Sequence, residues 1–208
     1  MKLSHRLNVV ASLVDMNTRV IDVGCDHAYL DIYLSMYNNN TCIAIDKIDI
    51  AVDNAKKNVS KYNLEKKIKV RLNDGLDNIK IKKTDNIVLS GLGAYTIVGI
   101  LKNHELSDTL IISANNNIEY LRREVVKLGF YIDTEVFITD NNKKYVIIKF
   151  KRGYVKYKKT DYIVGPILRN NKEYKEYLLN KYYKILKRMT SLKLKIKIYL
   201  IILRIKRA

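Results

Sequence analysis

The 208 residues can form one medium-sized domain with an appendage but are too few for two ordinary domains, and an apolar fraction of 48% supports a sizeable core. Two cysteines exclude a disulfide framework, which predicts a reducing cytoplasm, and the longest apolar run near the C-terminus, Ile198–Leu203, is far shorter than the ~20 residues that span a bilayer. Lys and Arg outnumber Asp and Glu by 39 to 21, and this net charge of +18 excludes an acidic or neutral surface.

The elements predicted from hydrophobic periodicity alternate between helices and short buried strands. In chain order they are helix Leu3–Val14, strand Arg19–Val23, helix Ala28–Tyr37, strand Thr41–Ile45, helix Ile50–Tyr62, strands Ile68–Leu72, Asn86–Leu89 and Thr109–Ile112, helix Ile118–Leu128, and a closing hairpin of Phe130–Thr139 and Tyr145–Phe150. Strands that alternate with helices imply a mainly parallel sheet covered on both faces, to which the hairpin adds an antiparallel edge.

The composition shifts at Lys151–Gly153, which predicts one domain over residues 1–152 and a basic helical extension over residues 153–208. In the extension, Glu173–Met189 has helical spacing. Apolar residues then alternate with lysines over Leu192–Ile198, which is strand periodicity. Because an isolated terminal strand needs a sheet edge, a helix packed back on the preceding helix is favoured.

The positive charge is concentrated in this extension. Residues 153–208 contain sixteen Lys or Arg and three Asp or Glu, a net charge of +13, whereas residues 1–152 carry +5. A codon bias toward lysine would raise the charge along the whole chain, so the asymmetry indicates a polyanionic partner held by the tail. Nucleic acid is the favoured partner, and an anionic membrane surface is the alternative.

Acidic residues lie at the ends of three consecutive predicted strands: Asp22, Asp46 and Asp74. Ligands of an open parallel sheet bind beyond the carboxyl ends of its strands. A single glycine, Gly24, follows the first strand, whereas a dinucleotide site needs further glycines for its pyrophosphate. A carboxylate-lined loop suits a cationic ligand without phosphates, and S-adenosylmethionine has a sulfonium, an ammonium group and an adenosine. The alternative for each acid alone is a helix cap or a turn former.

These positions predict a Rossmann-like class I methyltransferase sheet with S-adenosylmethionine as cofactor. Asp46 is expected to bind the ribose hydroxyls and Asp74 the adenine amino group. Arg6 is predicted to close over the cofactor, with a plain surface arginine as the alternative, and His27 is expected mainly to hold its loop. The full set of predicted cofactor contacts is Arg6, Asp22, Gly24, Cys25, His27, Asp46, Lys47, Asp74, Gly75, Leu76 and Gly91.

The segment after the fourth strand indicates which atom is methylated. Enzymes that act on exocyclic amines place a Pro-Pro-aromatic run there, and enzymes that act on pyrimidine carbon 5 need a cysteine nucleophile after the fourth or fifth strand. Ser90-Gly91-Leu92-Gly93-Ala94 has neither feature. Gly91 and Gly93 leave room for a planar ring to enter edge-on, which predicts a ring nitrogen with its own lone pair as acceptor.

Several motifs together resemble the bacterial tRNA (adenine-N1)-methyltransferase family of the TrmK type, which modifies adenosine 22 of tRNA. They are Leu3-Ser4-His5-Arg6-Leu7, Asp22-Val23-Gly24-Cys25-Asp26-His27-Ala28-Tyr29-Leu30, Asp74-Gly75-Leu76, Gly91-Leu92-Gly93, Leu121-Arg122 with Gly129-Phe130, Lys143 with Tyr145, and Val164-Gly165-Pro166. The resemblance implies a Rossmann-like methyltransferase domain and a helical, coiled-coil-like C-terminal domain that helps to hold tRNA. The chain departs from the family's Gly-Met-Gly-Gly at Gly91–Ala94 and from its Gln-Pro-Asn at Ser113–Asn115.

Within this resemblance, tRNA is the expected partner of a cytoplasmic, metal-free monomer. Asp26 is the predicted catalytic residue, acting through the adenine N6 amine, and its alternative role is to cap the following helix. The predicted substrate contacts are Tyr29, Leu92, Gly93 and Asn115, although Tyr29 could instead be a wall or core residue. Two other functions stay open: a non-catalytic RNA-binding module on a degenerate methyltransferase scaffold, and a methyltransferase for a protein or small molecule whose basic tail touches a membrane.

Overall fold

The computed structural model describes residues 1–207 and contains a seven-stranded mixed sheet. The strands are β1 Arg19–Val23, β2 Thr41–Asp46, β3 Ile68–Leu72, β4 Asn86–Ser90, β5 Thr109–Ser113, β6 Phe130–Asp140 and β7 Lys143–Arg152. Their order is β3-β2-β1-β4-β5-β7-β6, with β7 antiparallel to both of its neighbours. The predicted parallel sheet with an antiparallel closing hairpin is therefore confirmed, and its strand order reverses between β1 and β4.

Helices cover both faces of this sheet. They are α1 His5–Leu13, α2 Tyr29–Tyr37, α3 Asp49–Lys61, α4 Ala94–Lys102, α5 Ile118–Lys127, α6 Lys159–Val164, α7 Lys172–Arg188 and α8 Leu192–Arg207. Helices α1 to α3 share one hydrophobic cluster with the sheet, and α4, α5 and the C-terminal helices share the other. No helix within residues 1–207 is long and apolar enough to cross a membrane.

Helix α4 was not predicted from the sequence. Its residues include the β-branched run Thr96–Val98 and, near its end, Gly99. Both features lower intrinsic helix propensity. The helix forms because β4 and β5 are parallel neighbours, and parallel neighbours need a crossover connection. Its apolar residues Ile97 and Leu101 are buried against the sheet.

The C-terminal segment is helical, as expected, although its last part has the residue alternation of a strand. Helix α8 packs on α7 and α6, with Ile202 and Ile205 buried. The alternating residues lie in the first half of α8. Leu192 and Ile196 are largely exposed there, so these apolar side chains are not buried against a sheet, as those of a strand would be. The extension shares its core with the sheet, and the division at residues 152 and 153 stays a prediction.

A buried ion pair fastens the extension to the sheet. The Arg122 Nε atom on α5 donates to Glu135 Oε1 on β6 at 2.7 Å, and both side chains are fully buried. Arg122 also donates to the carbonyl oxygen of Ile163 at 3.2 Å, while Glu135 Oε2 accepts from the Ile167 backbone N–H at 3.1 Å. Gly165 lies directly against the pair with a φ of +79°, and a Cβ there would collide with both charged groups.

We predict that Glu135→Gln lowers the free energy of unfolding by about 3–5 kcal/mol, because it leaves the Arg122 guanidinium buried without its counter-charge. The substituted amide has only one acceptor oxygen, so its NH2 group faces either the Arg122 guanidinium or the Ile167 N–H, both of which are donors. Urea unfolding followed by circular dichroism measures the change, with Glu176→Gln on the exposed face of α7 as the matched control. Equal unfolding midpoints for the two variants would contradict a structural role of the pair.

Candidate active site

A cleft of about 530 Å³ lies beyond the carboxyl ends of β1 to β4, where the strand order reverses. This strand-end cleft has a volume in the range of small-molecule sites. Nine of the predicted site residues line it: Arg6, Gly24, Asp26, Asp46, Lys47, Asp74, Gly75, Gly91 and Leu92. The loops after four separate strands therefore converge on one cavity.

The loop after β1 makes a tight turn at Gly24. The backbone N–H groups of Gly24 and Cys25 both donate to the Ile45 carbonyl oxygen on β2, at 2.8 and 2.9 Å. The φ of Gly24 is +84°, a conformation that favours glycine. A Cβ at this position would lie 3.6 Å from the Leu92 side chain and 3.7 Å from the Ser90 carbonyl oxygen, and would narrow the cleft.

Asp46 ties two of the loops together and still faces the cleft. Its Oδ2 atom accepts from the Asp26 backbone N–H at 3.1 Å, and its Oδ1 atom accepts from the Ile48 backbone N–H at 3.1 Å. A carboxylate has about four acceptor positions, so each oxygen keeps one for a further donor. Asp46 can therefore bind a pair of hydroxyl groups without releasing either loop.

The turn after β3 presents Asp74 to the cleft. Asn73 shapes this turn by donating to the carbonyl oxygens of Gly75 and Asp77, at 3.3 and 2.8 Å. The Asp74 side chain is exposed and lines the cleft. Leu76, by contrast, is buried in the hydrophobic core, so its side chain supports the turn from below and does not line the cleft.

A buried pair of carboxyl groups lies beside the cleft. Asp22 is the next-to-last residue of β1, and Asp31 lies in the first turn of α2 with a fully buried side chain. Within residues 1–207 no donor reaches either Asp31 carboxyl oxygen, and the two carboxyl groups are neighbours, so a proton held by Asp31 would satisfy the pair. Burial raises the pKa of Asp22 to about 7, and burial together with the Asp22 charge raises the pKa of Asp31 well above its ordinary value.

Sequence reasoning missed Asp31. An acidic residue in the first turn of a helix ordinarily indicates only a favourable interaction with the helix dipole. The one available signal was its position in the helix that follows the glycine turn of Gly24.

Asp26, His27 and Tyr29 lie on the α2 side of the cleft, around a smaller cavity of about 80 Å³ that Asp22 and Cys25 also line. The Asp26 side chain is 74% exposed, with Oδ1 at 3.6 Å from His27 Nε2, and the His27 and Tyr29 rings are 5.6 Å apart. Helix α2 begins at Tyr29, and Ala28 is its N-cap without a side-chain hydrogen bond. The alternative that Asp26 caps this helix is therefore wrong.

Arg6 reaches the cleft from α1. Its NH1 atom donates to Ser90 Oγ at 3.1 Å, and its guanidinium carbon lies 5.2 Å from the centroid of the Tyr145 ring. The Arg6 backbone N–H donates to Asp140 Oδ2 at 3.1 Å, which fixes the start of α1 on the hairpin. Of the two predicted alternatives, the structure has the cleft arginine, since Arg6 lines both cavities.

Ser90–Gly93, the glycine loop, is held by the segment after β5. Asn115 Nδ2 donates to the Gly91 carbonyl oxygen at 2.6 Å, and the Asn115 backbone N–H donates to the Leu92 carbonyl oxygen at 2.9 Å. Asn116 Oδ1 accepts from the Ala94 backbone N–H at 3.2 Å, a role that the sequence did not predict. Gly93, the N-cap of α4, does not line the strand-end cleft, and Asn115 lies behind the loop.

Comparisons with known proteins agree with this geometry. A family model for a methyltransferase domain matches residues 3–148. A Bacillus subtilis tRNA (adenine(22)-N(1))-methyltransferase is 31% identical over 158 residues, which span 74% of this chain and 66% of the Bacillus protein. A Mycoplasma genitalium protein named as a candidate tRNA methyltransferase is 30% identical over 90% of this chain and 87% of its own length. The structure of M. capricolum TrmK with S-adenosyl-homocysteine has a TM-score of 0.90 and 31% identity, covering 100% of this chain and 97% of that one.

The chain belongs to the bacterial tRNA (adenine-N1)-methyltransferase family. The M. capricolum relative holds S-adenosyl-homocysteine, the product form of the methyl donor S-adenosylmethionine. The donor set of the strand-end cleft fits that molecule. Asp46 and Asp74 offer acceptors for hydroxyl and amino groups, the acids attract its cationic groups, and Arg6 offers a donor for its carboxylate. Within residues 1–207, no group of three or more His, Cys, Asp or Glu side chains is arranged to hold a metal ion.

We predict that the affinity for S-adenosylmethionine falls as the pH drops through about 7, because Asp22 then becomes protonated and no longer attracts a cationic ligand. The contribution of Asp22 to folding stability has the opposite pH dependence. The folded state holds the Asp22 proton between pH 3.8 and about 7, so that contribution declines as the pH rises through this interval.

Asp31→Ala removes the protonated carboxyl group whose hydrogen bond lowers the pKa of Asp22. We expect it to move the midpoint of the affinity profile to higher pH, because the charged form of Asp22 loses its donor. Titration calorimetry across the pH range measures both profiles, with the exposed Asp53→Ala on α3 as control. A midpoint that Asp31→Ala leaves in place would show that the pair does not control this binding step.

Proposed function

We propose that the protein transfers a methyl group from S-adenosylmethionine to N1 of adenosine 22 in tRNA. The observation that carries the proposal is the convergence of Asp26, Asp46 and Asp74 with the glycine loop on one cleft. Family membership supports both the reaction and the class of substrate. The cofactor supplies an electrophilic methyl group, and adenine N1 already carries a lone pair, so no general base has to act first.

The chain contributes mainly by positioning the reactants. Holding two reactants in the right orientation can lower a barrier by up to about 7–11 kcal/mol. The glycine loop is suited to this task because Gly91 is exposed at the cleft and its carbonyl oxygen is fixed by Asn115. The Tyr29 ring is 44% exposed at the other side of the cleft, where it is available to a flat base.

Asp26 is the proposed catalytic residue. The methylated adenine ring is cationic, and a carboxylate close to its N6 amine stabilises the charge as it develops. The Asp46 hydrogen bond to the Asp26 backbone places this carboxylate at the mouth of the cleft. Covalent catalysis by a thiolate is disfavoured, because burial and nearby carboxylates raise the pKa of Cys25 and burial raises that of Cys42.

The departures from the family's loop motif do not favour a non-catalytic protein. Ala94, which replaces the last glycine, is completely buried in the core at the start of α4, so its methyl group does not enter the cleft. Leu92 replaces a methionine of similar volume, a change that apolar sites tolerate. The cleft keeps the space that the two remaining glycines provide.

The extension is proposed to hold the tRNA backbone. Helix α8 carries no acidic residue, and Lys193, Lys195 and Lys197 are exposed on it. Lysines of this kind bind phosphates through charge and release counterions. We further propose that the protein acts as a monomer in the cytoplasm and that residues 1–152 and 153–208 form its two domains.

Labelled cofactor and unmodified tRNA transcripts test the proposed reaction. We predict label in 1-methyladenosine at position 22 and no incorporation when guanosine replaces that adenosine, since guanine N1 carries a proton in place of a lone pair. Nuclease digestion with mass spectrometry identifies the nucleoside and its position. Label at another nucleoside, or in a protein fraction in place of RNA, would reject the assignment.

We predict that Asp26→Asn slows single-turnover methyl transfer by about tenfold or more, because an uncharged amide stabilises the cationic ring less well. The affinity for S-adenosylmethionine should remain near that of the unaltered protein, since the Asp26 backbone contact to Asp46 is kept. Rapid-quench kinetics measure the rate, calorimetry measures the affinity, and Asp53→Asn serves as control. A normal single-turnover rate would exclude Asp26 from catalysis.

A further inference from the structure

A second cavity of about 340 Å³ opens beside the strand-end cleft. Its walls are the loop after β5, the start of α5, the β6–β7 hairpin and the inner face of α7. We call it the tyrosine cleft, and its principal lining residues are Asn116, Tyr120, Phe137, Lys144, Tyr177 and Lys181. None of these residues lines the strand-end cleft, and only Asn116, which accepts from the Ala94 backbone N–H, was described above.

The two clefts share a wall. Asn115 and Asn116 hold the glycine loop on one side and line the tyrosine cleft on the other. Tyr95, which is 64% exposed near the start of α4, packs against Tyr120 of the tyrosine cleft with ring centroids 4.5 Å apart. A polymer whose reacting unit lies at the glycine loop would therefore bring its neighbouring unit to the tyrosine cleft.

The lining of the tyrosine cleft has the chemistry of a site for single-stranded nucleic acid. The half-buried Tyr177 ring lines the cleft as an aromatic platform and packs on the buried Phe137 ring, with ring centroids 5.3 Å apart. Three consecutive exposed asparagines, Asn115–Asn117, offer amide donors and acceptors at the rim. Unpaired bases in RNA are recognised by stacking on aromatic rings and by hydrogen bonds to their edges.

The charge of the rim is also complementary to a phosphate. The Glu119 carboxylate lies 3.5 Å from Arg123, and Glu173 is paired with Lys144 at 2.6 Å. Lys181 is exposed on α7 and makes no ion pair within residues 1–207. One uncompensated cation therefore stands beside the aromatic platform.

We propose that the tyrosine cleft binds the nucleotide that flanks the target adenosine in the tRNA strand, with its base on Tyr177 and its phosphate near Lys181. This inference rests on the proposed RNA methyl transfer. An enzyme that acts on a base inside a folded RNA must extrude it, and extrusion removes a stacking partner from the neighbouring base. The platform replaces that lost partner, so the cleft lowers the free energy of the extruded state.

Substitutions of Tyr177 in the full-length protein test the proposal. Tyr177→Leu keeps apolar bulk but removes the aromatic face, and we expect it to raise the Kd and KM for unmodified tRNA about tenfold. Tyr177→Phe should behave as the unaltered protein. The kcat and the affinity for S-adenosylmethionine should not change, because Tyr177 contacts neither the strand-end cleft nor the glycine loop. Tyr37→Leu, at an exposed tyrosine at the C-terminal end of α2, is the matched control.

A fluorescent base identifies which nucleotide occupies the cleft. The adenine analogue 2-aminopurine is placed in turn at each nucleotide that flanks the target, and its quenching on binding reports stacking. We expect quenching at one flanking position, retained with Tyr177→Phe and lost with Tyr177→Leu. Equal quenching with all three proteins, or a tRNA affinity that Tyr177→Leu leaves unchanged, would overturn the proposal.

Lys181→Gln provides a second variant that cannot disturb packing, because its side chain is exposed. We expect the plot of log affinity against log salt concentration to be less steep for Lys181→Gln than for Lys57→Gln on α3. The difference should correspond to the loss of about one phosphate contact. Identical slopes would contradict the phosphate assignment. If the unaltered protein methylates tRNA and Tyr177→Leu has the same Kd and KM for tRNA, the proposed role of the tyrosine cleft is refuted and the proposed function stands. If no tRNA is methylated, the proposed function itself fails, whereas the binding and fluorescence results still decide what the cleft holds.

Discussion

The buried Arg122–Glu135 pair is the constraint on which the arrangement of both clefts depends. Removing two charges from water is expensive, and their mutual attraction offsets that loss only where the remaining donors and acceptors are also satisfied. Arg122 meets this condition through the carbonyl oxygens of Tyr162 and Ile163, and Glu135 meets it through the Ile167 backbone N–H. The pair therefore fixes α5, β6 and the turn after α6 in one geometry.

This geometry reaches the site through α5 and α7. The helix begins just after Asn115–Asn117, the segment that holds the glycine loop, and its middle carries Arg122. The turn that Glu135 anchors leads into α7, which places Tyr174 against Phe137 with ring centroids 4.9 Å apart. Gly165 is needed at this junction because any side chain would enter the space between the two charges. The Val164-Gly165-Pro166 motif is thus explained by packing, although it lies far from the cofactor along the chain.

The sequence predicted the strand-end cleft better than it predicted the surroundings of that cleft. Asp46 and Asp74 were identifiable because a parallel sheet brings the ends of successive strands to one edge, whatever the details of packing. Helix α4 was missed because its β-branched residues and Gly99 oppose the helix that the topology requires. The roles of Asp31 and Asn116 depend on where a buried side chain or a loop from another crossover comes to lie, and no local pattern carries that information.

The positions of the charged groups suggest how affinity and selectivity are divided between the two parts of the chain. The lysines of α8 are exposed, and at physiological salt their fields extend only about 8 Å, so they act on whichever phosphates lie nearby and carry no information about sequence. The tyrosine cleft, as proposed, contacts a single nucleotide beside the reacting one, so it favours bound tRNA in which the target base is extruded. A tRNA held by α8 alone would gain no such selection for the extruded base. We infer that the fixed distance between α7 and the glycine loop, set by the Arg122–Glu135 pair, is what couples RNA binding to the position of the target adenosine.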